Sequence, residues 1–570
     1  EVVRGPTSVL YGSDALGGTI NAVTSTPHFS GAGFDLNTRV LCRYGSADQE
    51  KTTRAELGIH SRRFAFQAGF SYKDYEDLRR GKNSRHPQIE KSTNGLYQSP
   101  TGFSATDFDS KMVFGLTPLQ TLTVAYQMTR KTDIPRYDKY ENDGFFHWMY
   151  NPQNRDLAYL TYENRIQSRF VSSLRASVSY QRQREGREQQ KNATSQLTKE
   201  MDDVRTLGLT LQFHSLFRKH LFTYGADLYM DDVASRRIFV DPGTGAEERD
   251  VRGLYPDGSK YNSLGIFLQD EIRFTPRWTV IPGVRTSSFW TRFSIPPDTS
   301  SLVQLGNIRQ RFRSVTGSLG IIRKLGRGTF FNVNIGQAFR APNLSDITKL
   351  GESKGNTYEV PNPNLVPEKM LSIDVGLKFD FDRVKATASV YYARITDILA
   401  SADATVNGSS TIEKGGNVYK VKSKQNIGDA FIRGFEASFD CNVYRRVSFR
   451  TNITTTFGQN TTLDEPVGKI PPAFGLAGLR WNGGSFTCDA TIRFAAKQDR
   501  LSADDRDDPR IPEGGTPAWT IVNFRAGLDM WKFSRLQLAV ENIFDTNYRE
   551  HCSGVNGPGR NFIVSVELRK

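Results

Sequence analysis

Residues 371–380 read LSIDVGLKFD, and this stretch decides the fold because its apolar and polar residues alternate throughout. A period of two places the apolar side chains on one face of a β-strand and the polar side chains on the other. The same pattern, with a few exceptions, recurs at 263–274 and at 35–44. One such strand suits a soluble sheet as well as a membrane wall, so the number of strands has to decide between them.

Read outward from this stretch, the sequence predicts 22 strands, an even number. They fall near residues 33–46, 51–61, 63–78, 103–117, 120–136, 155–166, 170–188, 198–217, 220–239, 261–274, 277–293, 309–325, 328–342, 368–380, 383–402, 420–443, 447–460, 474–483, 485–498, 516–530, 534–548 and 559–570. Many exceed the roughly 5–6 residues typical of globular strands and are long enough to cross a bilayer at a tilt.

The predicted connections alternate between tight turns and long polar segments. Tight turns fall at 117–119, 275–277, 326–328, 381–383 and 531–533, and long segments at 79–102, 137–154, 240–260, 343–367 and 499–515. Short turns on one side and long loops on the other are typical of a transmembrane β-barrel. The alternative is a soluble multidomain β-protein, which has no reason to segregate its loop lengths in this way. The sequence therefore predicts an all-β, 22-stranded antiparallel transmembrane barrel.

Composition excludes several other classes of protein. A mean hydropathy of −0.50 and the lack of an 18-residue apolar run exclude a bundle of transmembrane helices, and four Cys exclude a disulfide scaffold. The net charge of +14 comes with no nucleic-acid-binding motif, and outward loops facing anionic lipopolysaccharide explain it more simply. Because no Ser/His/Asp order, phosphate loop or paired carboxylates stand out, we predict neither an enzyme nor a bound cofactor.

The opening of the chain carries a family resemblance. Residues 1–12, EVVRGPTSVLYG, and 15–21, ALGGTIN, closely resemble the end of the plug domain of TonB-dependent outer-membrane receptors. The resemblance implies the end of a plug over residues 1–30 and a barrel over 31–570. It also implies that most of the plug and the box that binds TonB lie upstream of residue 1. A monomer in the outer membrane of a Gram-negative bacterium, with TonB as its partner, is expected.

Two further motifs narrow the resemblance to receptors for iron-bearing solutes. One run, Phe339, Arg340, Ala341 and Pro342, is similar to a box noted in haem receptors. A second run, Asn362, Pro363, Asn364 and Leu365, is similar to another box of the same receptors. Both boxes also occur in siderophore receptors. They imply energy-coupled uptake of a ferric siderophore or haem, with cobalamin or another solute, or a passive channel, as the alternatives.

The haem interpretation requires an axial ligand to iron, which is a His, Tyr, Met or Cys. In haem receptors a His usually lies between the two boxes, but residues 343–361 contain none, which weakens this interpretation. Tyr358 is the one candidate there. His551, followed by Cys552, lies in the last outward loop and is a second candidate, although a lone loop His is usually just solvated.

Aromatic residues cluster in the loop at 131–156. An aromatic cluster suits stacking against a planar ligand such as a porphyrin or a catecholate. The alternative is an interfacial girdle or a small hydrophobic core within the loop. The ligand-binding candidates are Tyr137, Tyr140, His147, Trp148 and Tyr150.

Charged residues suggest how the plug is held. The resemblance to plugged barrels implies that Glu1 and Arg4 face the lumen, where Glu271, Arg273 and Glu541 are the expected plug–barrel partners. A second group, Asp504, Asp505, Asp507 and Asp508, could hold Ca²⁺, but a solvated run of charge explains it more simply. No residue spacing in the sequence predicts a closed metal site.

Overall fold

The computed structural model describes residues 2–31, 33–83, 95–166, 168, 170–250, 252–295, 306–353, 357–414 and 417–570. Within these ranges, 22 antiparallel strands form one closed barrel. They are β1 Asp35–Gly45, β2 Glu50–His60, β3 Phe64–Tyr75, β4 Phe103–Thr117, β5 Gln120–Thr132, β6 His147–Arg165, β7 Ser173–Gln190, β8 Leu197–Phe217, β9 His220–Val240, β10 Ser259–Thr275, β11 Trp278–Ser294, β12 Asn307–Gly326, β13 Thr329–Arg340, β14 Glu368–Asp380, β15 Val384–Thr396, β16 Ala430–Tyr444, β17 Val447–Asn460, β18 Phe474–Asn482, β19 Phe486–Ala495, β20 Trp519–Trp531, β21 Ser534–Glu541 and β22 Asn561–Arg569.

The barrel closes between its first and last strands. β22 pairs with β1, with Leu568 opposite Val40, so neither strand is left as an open edge. Along β10, alternate residues carry apolar side chains to the outside: Leu264, Ile266 and Leu268 are 37, 52 and 44% exposed. An apolar band of this kind suits contact with lipid. The predicted fold and strand number are confirmed.

Several predicted strand boundaries were wrong, among them the ends of 383–402 and 534–548, since β15 ends at Thr396 and β21 at Glu541. Residues 420–443 were predicted as one strand, but Asn417–Asn426 belongs to a separate loop sheet and β16 begins only at Ala430. Gly428, with φ of +92°, makes the break between the two. β6 begins at His147 rather than near 155, because an irregularity in its register between Tyr150 and Gln153 interrupts the alternation.

The two ends of the barrel differ as predicted. At the turn end, strands are joined by turns such as 118–119, 276–277 and 532–533, whereas connections at the loop end reach 341–367 and 397–429. The loop segments contain the helices Tyr137–Glu141, Leu344–Thr348 and Ala503–Arg506 and the short strands Leu78–Arg79, Tyr97–Gln98, Ile134–Pro135, Glu247–Arg249, Gly351–Ser353, Thr357–Val360, Leu399–Asp403, Thr411–Lys414, Asn417–Asn426 and Glu465–Pro466. None of the helices in the described ranges is long and apolar enough to cross a membrane.

The N-terminal segment lies inside the barrel. A two-stranded ribbon, Val2–Arg4 with Gly18–Ile20, encloses the short helix Ser8–Tyr11. This helix contacts β10, β11, β12 and β13. Glycines of the wall face the segment. Val284 and Ile335, each next to one of these glycines in its strand, point to the outer face and are 46 and 37% exposed. The segment therefore occupies the lumen.

Candidate functional site

Backbone hydrogen bonds and one ion pair fix the N-terminal segment to the wall. Arg4 forms an ion pair with Glu436 of β16. The backbone N–H of Asp14 donates to the carbonyl of Phe339 at 3.1 Å, and that of Ala341 donates to Ser13 Oγ at 3.0 Å. The segment is thus seated on the wall at β13 and β16.

A glycine allows the segment to approach the wall closely. Gly12 has φ of +84°, and a Cβ there would lie 3.2 Å from the guanidinium of Arg285. That guanidinium is buried and pairs with Asp227 at 2.7 Å. A side chain at position 12 would be strained and would press on this pair, so glycine suits the position.

The barrel residues predicted to pair with the segment form ion pairs with other barrel residues instead. Glu271 pairs with Arg273 of the same strand at 2.9 Å, and Glu541 pairs with Arg525 at 2.5 Å, so Arg4 meets Glu436 instead of these residues. Side chains two apart on one strand share a face, so Glu271 and Arg273 neutralise each other. Glu1 lies outside the described residues.

The first family box joins the wall to the lumenal segment. Phe339 is 1% exposed and packs against Phe289 with ring centroids 5.8 Å apart. Arg340 pairs with Asp346 at 2.7 Å and with Glu368 at 2.5 Å. Ala341 and Pro342 are buried beside them. The box therefore packs the wall and anchors the loop that follows it.

The second box closes the same loop. Asn362 donates from its side chain to the carbonyl of Lys424 at 2.7 Å and accepts from the backbone N–H of Asn364 at 2.9 Å. The carbonyl of Pro363 accepts from Gln310, and Leu365 is 3% exposed in the same hydrophobic cluster as Phe339. These contacts give both boxes a structural role.

Tyr358 is packed inside the loops. It is 8% exposed and meets Tyr419 edge to face, with ring centroids 6.5 Å apart. Its cluster also contains the aliphatic side chains Val360, Ile412 and Val421. The ring is thus part of a small hydrophobic core formed by loops 341–367 and 397–429.

The aromatic residues of the loop at 131–156 also pack together. Tyr137 and Trp148 are 3 and 6% exposed, and the hydroxyl of Tyr140 accepts from the backbone N–H of Trp148 at 2.8 Å. Tyr150 meets Trp148 edge to face, and the guanidinium of Arg136 lies over the Trp148 ring, 5.0 Å from its centroid. The structure brings Tyr140, Trp148 and Tyr150 into one cluster, and Tyr137 is buried in the same loop.

Charge holds this cluster in place. Arg136 donates two hydrogen bonds to Asp138, at 2.7 and 2.6 Å. Burial acts to raise the pKa of Asp138, but these hydrogen bonds outweigh it and hold the pKa below its ordinary value of 3.8. The fifth predicted residue, His147, lies apart, with Nε2 3.4 Å from a carboxylate oxygen of Glu188.

Beside the cluster lies a cavity that the sequence did not reveal. Its volume is about 560 Å³, within the range of small-ligand sites. Tyr75 and Phe103 form one side, stacked with centroids 4.9 Å apart, and Arg136, Tyr137 and Arg510 line the other. Tyr75 and Phe103 end one strand and begin the next, and only their pairing across the sheet brings them together.

The last two outward loops, 496–518 and 542–560, bury several of their polar residues. Nδ1 of His551 lies 2.8 Å from Thr516 Oγ1, and burial lowers the pKa of the imidazole below its ordinary value. Asp505 is 1% exposed and Asp508 is 4% exposed, so this part of the acidic run is not solvated as the simpler interpretation expected. Arg510 pairs with Asp508 at 2.5 Å.

Taken together, a closed 22-stranded barrel with an occupied lumen and long loops at one end defines the class of plugged outer-membrane-type barrels. The family described as TonB dependent receptor-like, beta-barrel matches residues 87–543. The chain belongs to this family, as its sequence predicted.

Curated relatives include a heme/hemopexin utilization protein and a ferric enterobactin receptor. The chain is 25% identical to the heme/hemopexin utilization protein C of Haemophilus influenzae over 393 residues, which cover 65% of this chain and 51% of the relative. It is 22% identical to the ferric enterobactin receptor of Pseudomonas aeruginosa, covering 99% of this chain and 80% of that receptor. The chain thus spans about half the length of the haem-utilisation relatives it matches.

Solved structures share the fold. The copper transporter OprC superposes with a TM-score of 0.82 at 16% identity, covering all of this chain and 87% of that one. The Serratia marcescens hemophore receptor HasR, in complex with its hemophore HasA and heme, gives 0.76 at 16% identity, covering all of this chain and 86% of that one. At this level of identity the likeness supports the fold alone.

Proposed function

We propose that the chain is the barrel of a receptor for the energy-coupled uptake of an iron-bearing solute, a ferric siderophore or haem. It would work as a monomer in the outer membrane of a Gram-negative bacterium, with its basic outward loops against lipopolysaccharide. Its activity is transport rather than catalysis. The observation that carries this proposal is the N-terminal segment seated in the lumen of a closed barrel.

The lumenal segment argues against a passive channel. Residues 1–30, taken as the end of a plug, would continue upstream into the rest of that domain and a TonB-binding box. The side chain of Arg4 is 67% exposed in its pair with Glu436, and such a pair contributes only about 0–1 kcal/mol. A pair this weak lets a pulling force from TonB release Arg4 from the wall without unfolding the barrel.

The cavity beside loop 133–146 is the proposed entry point for the solute. Stacked Tyr75 and Phe103 offer aromatic surface, and Arg136 and Arg510 offer positive charge. Haem carries carboxylates on an aromatic ring, and catecholate siderophores are anionic and aromatic, so both suit this lining. The names of the relatives, which cover haem and ferric enterobactin, support the same pair of solutes.

Uptake by living cells tests the proposal. The full-length receptor is expressed in a Gram-negative host that lacks its own haem and catecholate receptors, with and without TonB. Iron-55 is supplied as haem or as a ferric tris-catecholate. We expect the cells to accumulate one of the two solutes, and to do so only when TonB is present. Accumulation independent of TonB would indicate a passive channel, and uptake of neither solute would overturn the proposal.

A further inference from the structure

Two outward loops bring three metal-binding side chains together. Asp505 lies in loop 496–518, and His551 and Cys552 lie in loop 542–560. One ligand atom from each residue lies within 4.8 Å of the other two. Asp505 precedes His551 by 46 positions, and β20 and β21 lie between them, so the fold of the barrel creates this juxtaposition.

Asp505 is held rigidly on one side of the group. It is 1% exposed, and its Oδ1 accepts from the backbone N–H of Lys469 at 3.0 Å, while Oδ2 accepts from that of Ser502 at 3.2 Å. Carboxylate oxygens have further lone pairs beyond these hydrogen bonds. A buried carboxylate with remaining acceptor capacity is a suitable ligand for a cation.

His551 has a buried ring nitrogen that is available to a metal ion. The contact between Nδ1 and Thr516 Oγ1 fixes the orientation of the ring. Among the residues that the structure describes, its Nε2 has no hydrogen-bond partner although it is buried. A buried polar atom left unsatisfied costs about 1–3 kcal/mol. Metal-binding histidines commonly use the second ring nitrogen for a fixing hydrogen bond of the kind that Nδ1 makes here.

Cys552 supplies the third ligand. Its thiol is not in a disulfide, and its backbone has φ of +64°, a conformation that residues with a Cβ rarely adopt. Two cations lie nearby, Lys469 and Arg510, but Arg510 is paired with Asp508. The group therefore combines oxygen, nitrogen and sulfur ligands with a carboxylate charge.

We propose that Asp505, His551 and Cys552 bind one borderline transition-metal ion of the zinc class and thereby fasten the two loops to each other. Sulfur and nitrogen ligands disfavour Ca²⁺ and Mg²⁺ and suit Zn²⁺. In a tetrahedral zinc site, ligand atoms lie roughly 3.3–3.8 Å apart, so the three residues have to close by at most about 1.5 Å. Three protein ligands leave a fourth position open.

The inference goes beyond the proposed uptake function and does not depend on it. Iron uptake can fail while the metal binds, and the metal can fail to bind while uptake proceeds, because each is measured by its own assay.

Metal binding to the purified receptor tests the inference. The full-length receptor is stripped with a chelator in detergent and titrated calorimetrically with Zn²⁺, and Co²⁺ is used to detect a thiolate-to-metal absorption band. We expect one ion per chain, at least about tenfold weaker binding in Asp505→Asn and His551→Ala, and loss of the cobalt band in Cys552→Ser. Cys488→Ser, a barrel-strand thiol outside the group, should leave both readouts unchanged.

Heat-dependent gel mobility shows that each variant barrel is folded. Failure of the folded parent receptor to bind either ion would overturn the inference. Metal binding equal to that of the parent in all three variants of the group would also overturn it. So would a cobalt band that survives in Cys552→Ser but is lost in Cys488→Ser.

Discussion

Two groups of outward loops bury ligand-type residues in opposite ways. The Tyr358 loops, 341–367 and 397–429, enclose Tyr358 in a core of aliphatic and aromatic side chains. The His551 loops, 133–146, 496–518 and 542–560, bury charged and polar groups, among them an imidazole nitrogen without a hydrogen-bond partner in the described residues. We infer from this difference that a buried side chain is available for binding when its polar atom has no hydrogen-bond partner. Burial of the ring alone does not make it available.

A buried ion pair shows how the His551 loops are joined. Arg549 lies 3.8 Å from Glu141, and both side chains are 5% exposed. Arg549 also donates to Asn556 at 2.6 Å, and burial lowers the pKa of its guanidinium. Because charges are buried at a cost, the stability of the His551 loops depends on this pairing.

The largest effect is expected from emptying the core of the Tyr358 loops. Tyr358→Ala removes a buried ring and should destabilise these loops by about 3–5 kcal/mol. Hydrogen exchange of 341–367 and 397–429 should accelerate, while solute and metal binding stay unchanged. Tyr358→Phe, which keeps the ring, is the matched control. Loss of haem binding in Tyr358→Phe with normal exchange would make Tyr358 a ligand and break the comparison.

The next effect comes from removing one charge of the buried pair. Arg549→Met leaves Glu141 buried without this partner and should destabilise the His551 loops by about 3 kcal/mol. Hydrogen exchange at 133–146 and 542–560 should rise by roughly a hundredfold. Glu550 lies in the same loop as Arg549 and forms an exposed pair with Arg493. Glu550→Gln breaks this pair and should cost less than about 1 kcal/mol of stability. Equal effects of the two variants would contradict the pairing argument.

A smaller effect is expected at the residue that orients His551. Thr516 is 2% exposed, and Thr516→Val keeps its shape while removing the hydroxyl that contacts Nδ1. The metal-free loop 542–560 should lose about 1–3 kcal/mol of local stability, measured by hydrogen exchange. Exchange identical to that of the parent would show that the hydroxyl does not hold the ring.

The smallest effect is a dependence on acid. Because the folded-state pKa of Asp138 lies below 3.8, its stabilising contribution is present above that value and is lost as the pH falls below it. The fluorescence of Trp148, which Arg136 covers, should therefore change in this range. Asp138→Asn should abolish the transition, and a transition that persists in this variant would assign it to another group.

The barrel could be predicted from the sequence because the pattern that marks each strand lies within that strand. Alternation at 371–380 marks a strand by itself, and an even number of such strands is typical of outer-membrane barrels. The loop interiors could not be predicted in this way. Residues 417–426 look like an extension of the next strand, but pair instead with Thr357–Val360 across an insertion.

The candidate site depended on contacts over long sequence separations. His551 was recognised by residue type and loop position, but its neighbour Asp505 looked like part of a solvated run. Likewise, no local pattern links Arg4 to Glu436, 432 residues away. Such pairs follow from the register of the closed barrel, which single-strand patterns do not specify.

The most direct test of the account is equilibrium binding of haem and of a ferric tris-catecholate to the full-length receptor. Parent, Tyr358→Phe and the double variant Tyr75→Ala with Phe103→Ala are compared. If the cavity binds the solute, the parent and Tyr358→Phe bind one of the two solutes alike, while the double variant loses at least about tenfold in affinity. Unchanged binding in the double variant, or loss confined to Tyr358→Phe, would contradict the assignment of solute binding to the cavity beside the His551 loops.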